Sequence, residues 1–382
     1  MLTNRKKEVI LSHATISKIF YLEEAKMKKK MVLPILAAAS LVFSPFAGHI
    51  ASAESADNTL EGTNGREIVI HKQDDISIAK INEIVNRFKK GIEEDRASNQ
   101  KISINKNVSE SVYDNTIYDY TIIGEDYVYK YEEVPNKAPE LTIEKPDVKY
   151  LTEGQNDRIT TSAYNIGDGI GGRQNIVKNG SYLSTLLRLP LDSQVVQETA
   201  AYNYSGFTSG DYEADMGLVY DSTVGPGSFE KGWKPTMVVK RNGVESHSGF
   251  VTGYSNVQAA NAYLSNSDVV LYVWYNYNGK ARMKISGTAT CRDIGCSDGT
   301  NTSLISIMET DNSLNINTVN QWKLLSTVVS TGDKGRNRGT YSSIKVNDVA
   351  VPSSAFSAPL TDHASITRDG NNTVTITADQ NL

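Results

Sequence analysis

The stretch from Asp268 to Thr290 constrains this chain more than any other. An apolar and aromatic run, Val269-Val270-Leu271-Tyr272-Val273-Trp274-Tyr275-Asn276-Tyr277, meets Asn278-Gly279 and returns as Lys280-Ala281-Arg282-Met283-Lys284-Ile285. β-Branched and aromatic residues fit a pleated surface, and Asn-Gly supplies the two positive-φ residues of a type I′ turn. The pattern predicts a hairpin in which Tyr277 faces Lys280, Tyr275 faces Arg282 and Trp274 faces Met283. Side chains alternate along a strand, so Tyr272, Trp274, Met283 and Ile285 are expected on a core face. Val273, Tyr275, Tyr277, Lys280, Arg282 and Lys284 are expected on an aromatic, cationic surface.

From about Tyr150 onward the chain is a series of short alternating segments separated by Gly, Asn, Asp and Ser. Candidate strands are 202–207, 212–220, 236–240, 269–277, 280–290, 303–308, 322–330, 341–347 and 373–377. The 181–189 run reads as strand or short helix, and periodicity does not decide. Many short strands at this spacing predict a mainly β domain over 150–382, a jelly-roll-like β-sandwich.

The upstream part differs. Ile78, Ile81, Ile84, Val85, Phe88 and Ile92 recur with helical period, after Asp74-Asp75 and ahead of a Tyr-rich stretch from Lys101 to Tyr131. A small acidic α+β accessory domain or pro-segment is expected over 66–131, behind a loose terminus at 54–65. Pro135, Pro139 and Pro146 then mark 132–149 as a linker.

Residues 1–53 read as addressing. Lys28-Lys29-Lys30 is a basic n-region, Val32 to Phe43 is too short to span a bilayer, and Ala51-Ser52-Ala53 is an A-x-A cleavage pattern. Translation is expected to start at Met27 and the exported chain at Glu54, with no stable membrane anchor after cleavage. Removing the 8 basic and 3 acidic residues of 1–53 leaves 31 Lys+Arg against 41 Asp+Glu, a formal charge of −10. Such a surface repels phosphate backbones, so nucleic acid is not an expected partner. The two cysteines, Cys291 and Cys296, are expected to form a disulfide in an exported chain.

Motifs for catalysis are sparse. Gly167-Asp168-Gly169-Ile170-Gly171-Gly172 matches G-x-G-x-x-G by letter, but no buried strand precedes it and no helix follows, so it reads as a flexible turn. Glu213 and Asp215 lie two apart on a strand and therefore share a face, as a hydrolytic carboxylate pair requires. They resemble the acidic strand motif of laminarinase-like jelly-roll glycoside hydrolases. The second glutamate of that motif is replaced by Gly217 or Leu218, and with it goes the proton donor. Asp298-Gly299-Thr300-Asn301 and Asp311-Asn312 carry oxygens that suit Ca²⁺, and read first as Asx turns. No metal or cofactor is otherwise expected.

Tyr212 to Tyr220, Gly232-Trp233-Lys234-Pro235 and Gln321-Trp322-Lys323-Leu324-Leu325 together resemble the secreted YrpD-like proteins of Gram-positive bacteria, over roughly residues 200–380. The resemblance implies export and a concanavalin-like β-sandwich, and transfers no catalytic residue. The expected function is a non-catalytic binding module for carbohydrate or a cell-wall polymer, with Tyr275, Tyr277, Arg282 and Trp233 as contact surface. A secreted hydrolase using Glu213 and Asp215 is the rival, and a structural envelope or spore protein the third reading.

Overall fold

The computed structural model describes residues 59–72, 76–104, 116–145, 169–195, 200–221, 232–242, 244–250, 262–290, 301–329, 334–370 and 372–382. Residues 57–382 form one compact unit. The chain opens with β1 (Val69–Lys72), the helix α1 (Ile78–Ile104), β2 (Thr116–Ile123), β3 (Val128–Glu133) and β4 (Glu140–Glu144). There follow β5 (Gly169–Ile176), β6 (Tyr182–Arg188), β7 (Ala200–Ser209), β8 (Tyr212–Asp221), β9 (Gly232–Arg241) and β10 (Val244–Phe250). Next come β11 (Asp268–Tyr277), β12 (Lys280–Thr290), β13 (Asn301–Thr310), β14 (Gln321–Val329) and β15 (Arg336–Val346). The chain ends with β16 (Val349–Ala350), β17 (Leu360–Asp362), β18 (Ala364–Asp369) and β19 (Thr373–Asp379).

These strands build two sheets, as the alternating pattern predicts. The larger runs β1-β4-β3-β2-β13-β12-β11-β6-β15-β19-β18, with β16 beside β15, and the smaller runs β10-β9-β8-β7-β14-β5-β17. Ala214, Met216, Phe207, Trp322 and Trp233 of the smaller sheet meet Leu183, Leu271, Met283 and Tyr341 of the larger in one buried core. Every second residue is thereby removed from water, each large apolar side chain contributing about 1.5–3 kcal/mol before chain entropy is counted.

The α+β segment is part of the larger sheet. β2 lies parallel beside β13, Ile117 against Leu304 and Tyr120 against Ile307. The 132–149 stretch, expected as a linker, contains β4. Pro135 and Pro139 both precede that strand and so do not interrupt it, and Leu141 and Ile143 are buried on the face that packs in the helix cluster. α1 lies over the outer face of β2, β3 and β13, burying Ile81, Ile84, Val85, Phe88 and Ile92 against Tyr118, Tyr120, Tyr131, Ile305 and Ile307. Ser77 caps the helix, its hydroxyl accepting the Lys80 N–H at 3.2 Å. Gly91 lies where a Cβ would stand 2.3 Å from the Tyr120 ring, which explains a glycine inside a helix.

Two local readings change. The Gly-rich run expected as a turn supplies the first residues of β5, where a Cβ on Gly172 would meet the Ile376 side chain at 2.7 Å. The run thus permits close packing across the sandwich. The central hairpin has its type I′ turn, with Asn278 and Gly279 at φ 53° and 90°. Its register, however, shifts between Trp274 and Tyr277, so that Trp274 faces Arg282 and Val273 faces Met283. One extra residue on the bulged strand reverses the faces expected for β11.

Candidate functional site

The bulge decides which side chains reach the surface. Leu271, Val273 and Met283 enter the inter-sheet core, and Tyr272 and Trp274 emerge on the outer face of the larger sheet. Asn276 holds the distortion: its Nδ2 donates to the Ile316 carbonyl at 2.7 Å and its Oδ1 accepts the Gly279 N–H at 2.7 Å.

On that outer face four part-exposed rings form a continuous row. Tyr182 of β6 lies 6.2 Å from Tyr272 and 5.8 Å from Trp274, centroid to centroid. Tyr272 stacks on Trp274 at 5.5 Å with 14° between planes, and Trp274 meets Tyr277 edge-on at 5.6 Å. Cross-strand pairing sets the row: Trp274 opposes Tyr182 on one side and Arg282 on the other, while Tyr272 opposes Ser184 and Lys284. Part-exposed aromatic residues in contact make a larger apolar patch than scattered single ones.

Polar groups frame the row. On the helix side, Tyr277 Oη donates to Glu94 at 3.1 Å, and Lys284 pairs with Asp95. On the other side the Tyr182 phenol bonds Asp348, and burial followed by that carboxylate pushes it up to about 12. Both ends of the row therefore carry neutral phenols at ordinary pH beside carboxylates that accept hydrogen bonds.

The four residues expected to make contact are dispersed. Tyr277 belongs to the row. Tyr275 turns inward, its ring 6.2 Å from both Phe207 and Trp322. Arg282 is 6% exposed, held 3.4 Å from Glu309 and stacked 4.1 Å from the Tyr277 ring centre, so it supports the row from beneath. Trp233 has no exposed surface and packs 5.3 Å from Tyr220 in the core. Tyr182, Tyr272 and Trp274 were missed as surface residues. The signal that could have found them is the purely aliphatic set Val269, Leu271 and Val273, which alternates with Tyr272 and Trp274 and makes the better core face.

Glu213 and Asp215 do share a face, the outer face of the smaller sheet. Lys323 of β14 reaches both, 2.6 Å from Glu213 Oε1 and 2.7 Å from Asp215 Oδ1, and has no exposed surface itself. Its stem crosses Gly206, where a Cβ would stand 3.0 Å from Lys323 Cε. Arg173 adds a contact to Glu213 at 3.3 Å. Burial alone raises the Glu213 carboxyl, but Lys323, Arg173 and Lys240 together outweigh it and draw the value down to about 2. Glu213 is thus held ionised and has no proton to donate.

Asp311, from the Asx stretch suited to Ca²⁺, is engaged by Arg87 at 2.7 Å and Lys80 at 3.5 Å. Asp298 to Thr300, Cys291, Cys296 and residues 1–53 lie outside the described residues. Among the described residues, no group of three or more His, Cys, Asp or Glu side chains is placed to hold a metal ion, and no helix is long and apolar enough to cross a membrane.

Known proteins resemble this chain over little more than half of its length. Scytalido-glutamic peptidase, solved with a transition state analog inhibitor, covers 56% of this chain and 98% of its own, with 8% identity and a TM-score of 0.34. SCP-B, of the Eqolisin family of peptidases, solved with the tripeptide Ala-Ile-His, covers 55% and 98%, with 7% identity and a TM-score of 0.33. "Uncharacterized protein YrpD" of Bacillus subtilis (strain 168) is 31% identical over 212 residues, which are 55% of this chain and 82% of that protein. Residues 163–378, from just ahead of β5 into β19, match the family described as "Domain of unknown function, YrpD", and the chain belongs to that family.

Proposed function

We propose that this protein is an exported, non-catalytic binding module with a concanavalin-like sandwich, and that its ligand is a carbohydrate or cell-wall polymer. The row Tyr182–Tyr272–Trp274–Tyr277 carries this reading. A sugar ring has apolar C–H faces and a polar rim, which suits a patch of aromatic rings bordered by Glu94 and Asp348. A row of rings across three strand positions suits an extended chain of such units better than one small molecule. Arg282 and Lys284 already face Glu309 and Asp95, so the platform does not depend on an anionic ligand.

A hydrolase using Glu213 and Asp215 is the weaker reading, because Lys323 ties both carboxylates and Glu213 holds no proton. The test is binding of the chain from Glu54 to cellulose, chitin, peptidoglycan and soluble wall glycans, beside a Trp274→Ala variant. Loss of one stacking ring is expected to weaken binding about tenfold. No binding to any polymer, or unchanged binding by the variant, removes this reading and leaves a structural role ahead.

A further inference from the structure

Asn-Gly occurs four times in the chain, at 64–65, 179–180, 242–243 and 278–279. Asparagine is a thermolabile residue, and a following glycine speeds loss of its amide because no Cβ obstructs the attack. The glycine nitrogen attacks the asparagine Cγ, a C–N bond closes a five-membered succinimide, and the side-chain nitrogen leaves as ammonia. Water then opens the ring at either carbonyl, giving aspartate or isoaspartate. One water is consumed and one ammonia released, with no enzyme, oxidant or cofactor. The rate depends on a glycine N–H free to lose its proton and on a side chain free to swing onto that nitrogen.

The fold withholds these conditions from two of the pairs. The Gly279 N–H donates to Asn276 Oδ1 at 2.7 Å, and the Gly279 carbonyl accepts the Leu314 N–H at 2.9 Å. Asn64 has both ends of its amide engaged, Nδ2 donating to the Lys137 carbonyl and Oδ1 accepting the Arg66 N–H, each at 3.1 Å. The Gly65 N–H donates to the Gly62 carbonyl at 3.2 Å. Gly243, of the third pair, lies outside the described residues.

Asn179-Gly180 differs. It belongs to the irregular 177–180 segment between β5 and β6, and Asn179 is exposed. Among the described residues, neither the Asn179 amide nor the Gly180 N–H makes a hydrogen bond. The residues on either side are fixed. The Lys178 carbonyl accepts Trp322 Nε1–H at 3.0 Å, and the Ser181 N–H donates to Asn347 Oδ1 at 2.7 Å. A Cβ on Gly180 would stand 2.1 Å from Val346 Cγ1, so the packing favours glycine there and keeps the labile pair.

We infer that Asn179 is a self-modifying site, converted without an enzyme to isoaspartate and aspartate ahead of Asn64 and Asn278. Isoaspartate carries the main chain through the former side chain and so lengthens it by one carbon. That carbon enters between the fixed points Lys178 and Ser181, and the Ser181–Asn347 clamp at the start of β6 loosens. The site makes no use of the carbohydrate reading.

The experiment is incubation of the folded chain from Glu54 in warm, mildly alkaline buffer. Peptide mass mapping follows each asparagine over time, and enzymatic methylation counts isoaspartate. A second sample is held unfolded in urea, and an Asn179→Gln variant is incubated folded. In the folded chain Asn179 is expected to convert at least about tenfold faster than Asn64 or Asn278, whose hydrogen bonds must open first. In urea the three are expected to convert at similar rates. Isoaspartate is expected to be the major product, and Asn179→Gln to lose the early methyl-accepting signal. Conversion of Asn64 or Asn278 as fast as Asn179 in the folded chain overturns the inference. So does an intact Asn179 in the folded chain once the urea sample has converted, or a product that is aspartate alone. The converted chain is expected to unfold at a lower temperature than the fresh chain, and equal temperatures overturn the loosening of the clamp.

Discussion

The ammonium of Lys323 meets the carboxylate of Glu213 at 2.6 Å, on a sheet face where Lys323 has no contact with solvent. Charge neutralisation there is local, and it gives Glu213 a folded value of about 2 against 4.5 for a free side chain. A depressed carboxylate adds stability above its unfolded value and loses it as pH falls through its folded value. Unfolding temperature should therefore drop as pH is lowered from 4.5 towards about 2, and Glu213→Gln should flatten that limb. Thermal denaturation of both proteins across this interval checks it; parallel curves would show that Glu213 contributes nothing.

Asp119 has the opposite sign. It shares a face of β2 with Ile117, towards the inter-sheet core, and burial pushes its carboxyl up from 3.8 to about 7. The folded chain then holds a proton that the unfolded chain releases, so this contribution is full below 3.8 and lost as pH rises to about 7. Asp119→Asn, which stays neutral, is expected to abolish the decline and to be more stable than the parent at pH 8. Denaturant midpoints measured at pH 4, 6 and 8 settle this.

Two tryptophans should separate stability from binding. Trp233→Ala removes a fully buried indole and is expected to cost about 3–5 kcal/mol. Trp274→Ala removes a part-exposed ring and should cost less than about 1 kcal/mol while weakening polymer binding. Equal losses of stability in the two variants would sink the distinction between core and platform.

Arg282 is a supporting residue. Arg282→Ala leaves Glu309 buried with Arg87 still 2.6 Å away, and takes the cation from beneath Tyr277. A destabilisation of about 2–4 kcal/mol is expected, below that of a wholly unpaired charge. Urea denaturation gives the number, and a change under about 0.5 kcal/mol contradicts the buried-pair account.

Deleting everything ahead of residue 146 should produce self-association. Ile305 and Ile307 lose the cover of α1, and β13 loses β2 and becomes an open edge. Light scattering of the truncated chain is expected to show oligomers at concentrations where the chain from Glu54 is monodisperse.

Much of this architecture is readable from local pattern. The Asn278-Gly279 turn, the helix face of Ile81, Ile84, Val85, Phe88 and Ile92, and the alternation of β7, β8 and β14 follow from residue geometry alone. What escaped depends on partners distant in sequence. The β11 bulge is held by Ile316 through Asn276, and no residue of the hairpin announces it except that asparagine. Pro135 and Pro139 resemble linker punctuation until Leu141 and Ile143 find a sheet to join. Glu213 and Asp215 were legible as a pair on one face. Lys323, which changes their chemistry, comes from a strand more than a hundred residues away.

The parallel pairing of β2 with β13 also sets an order of assembly. Ile117 meets Leu304, a contact that closes nearly half the chain, and parallel pairing of this reach is slow because loop closure precedes any reward from contact. A chain emerging N-terminus first presents α1 and β2 long before β13 exists. During that interval Phe88, Tyr118 and Tyr120 have only their local neighbours, and one edge of β2 is open. The N-terminal segment therefore stands ready well before the strand that anchors it, and its open β2 edge is exposed to association during synthesis.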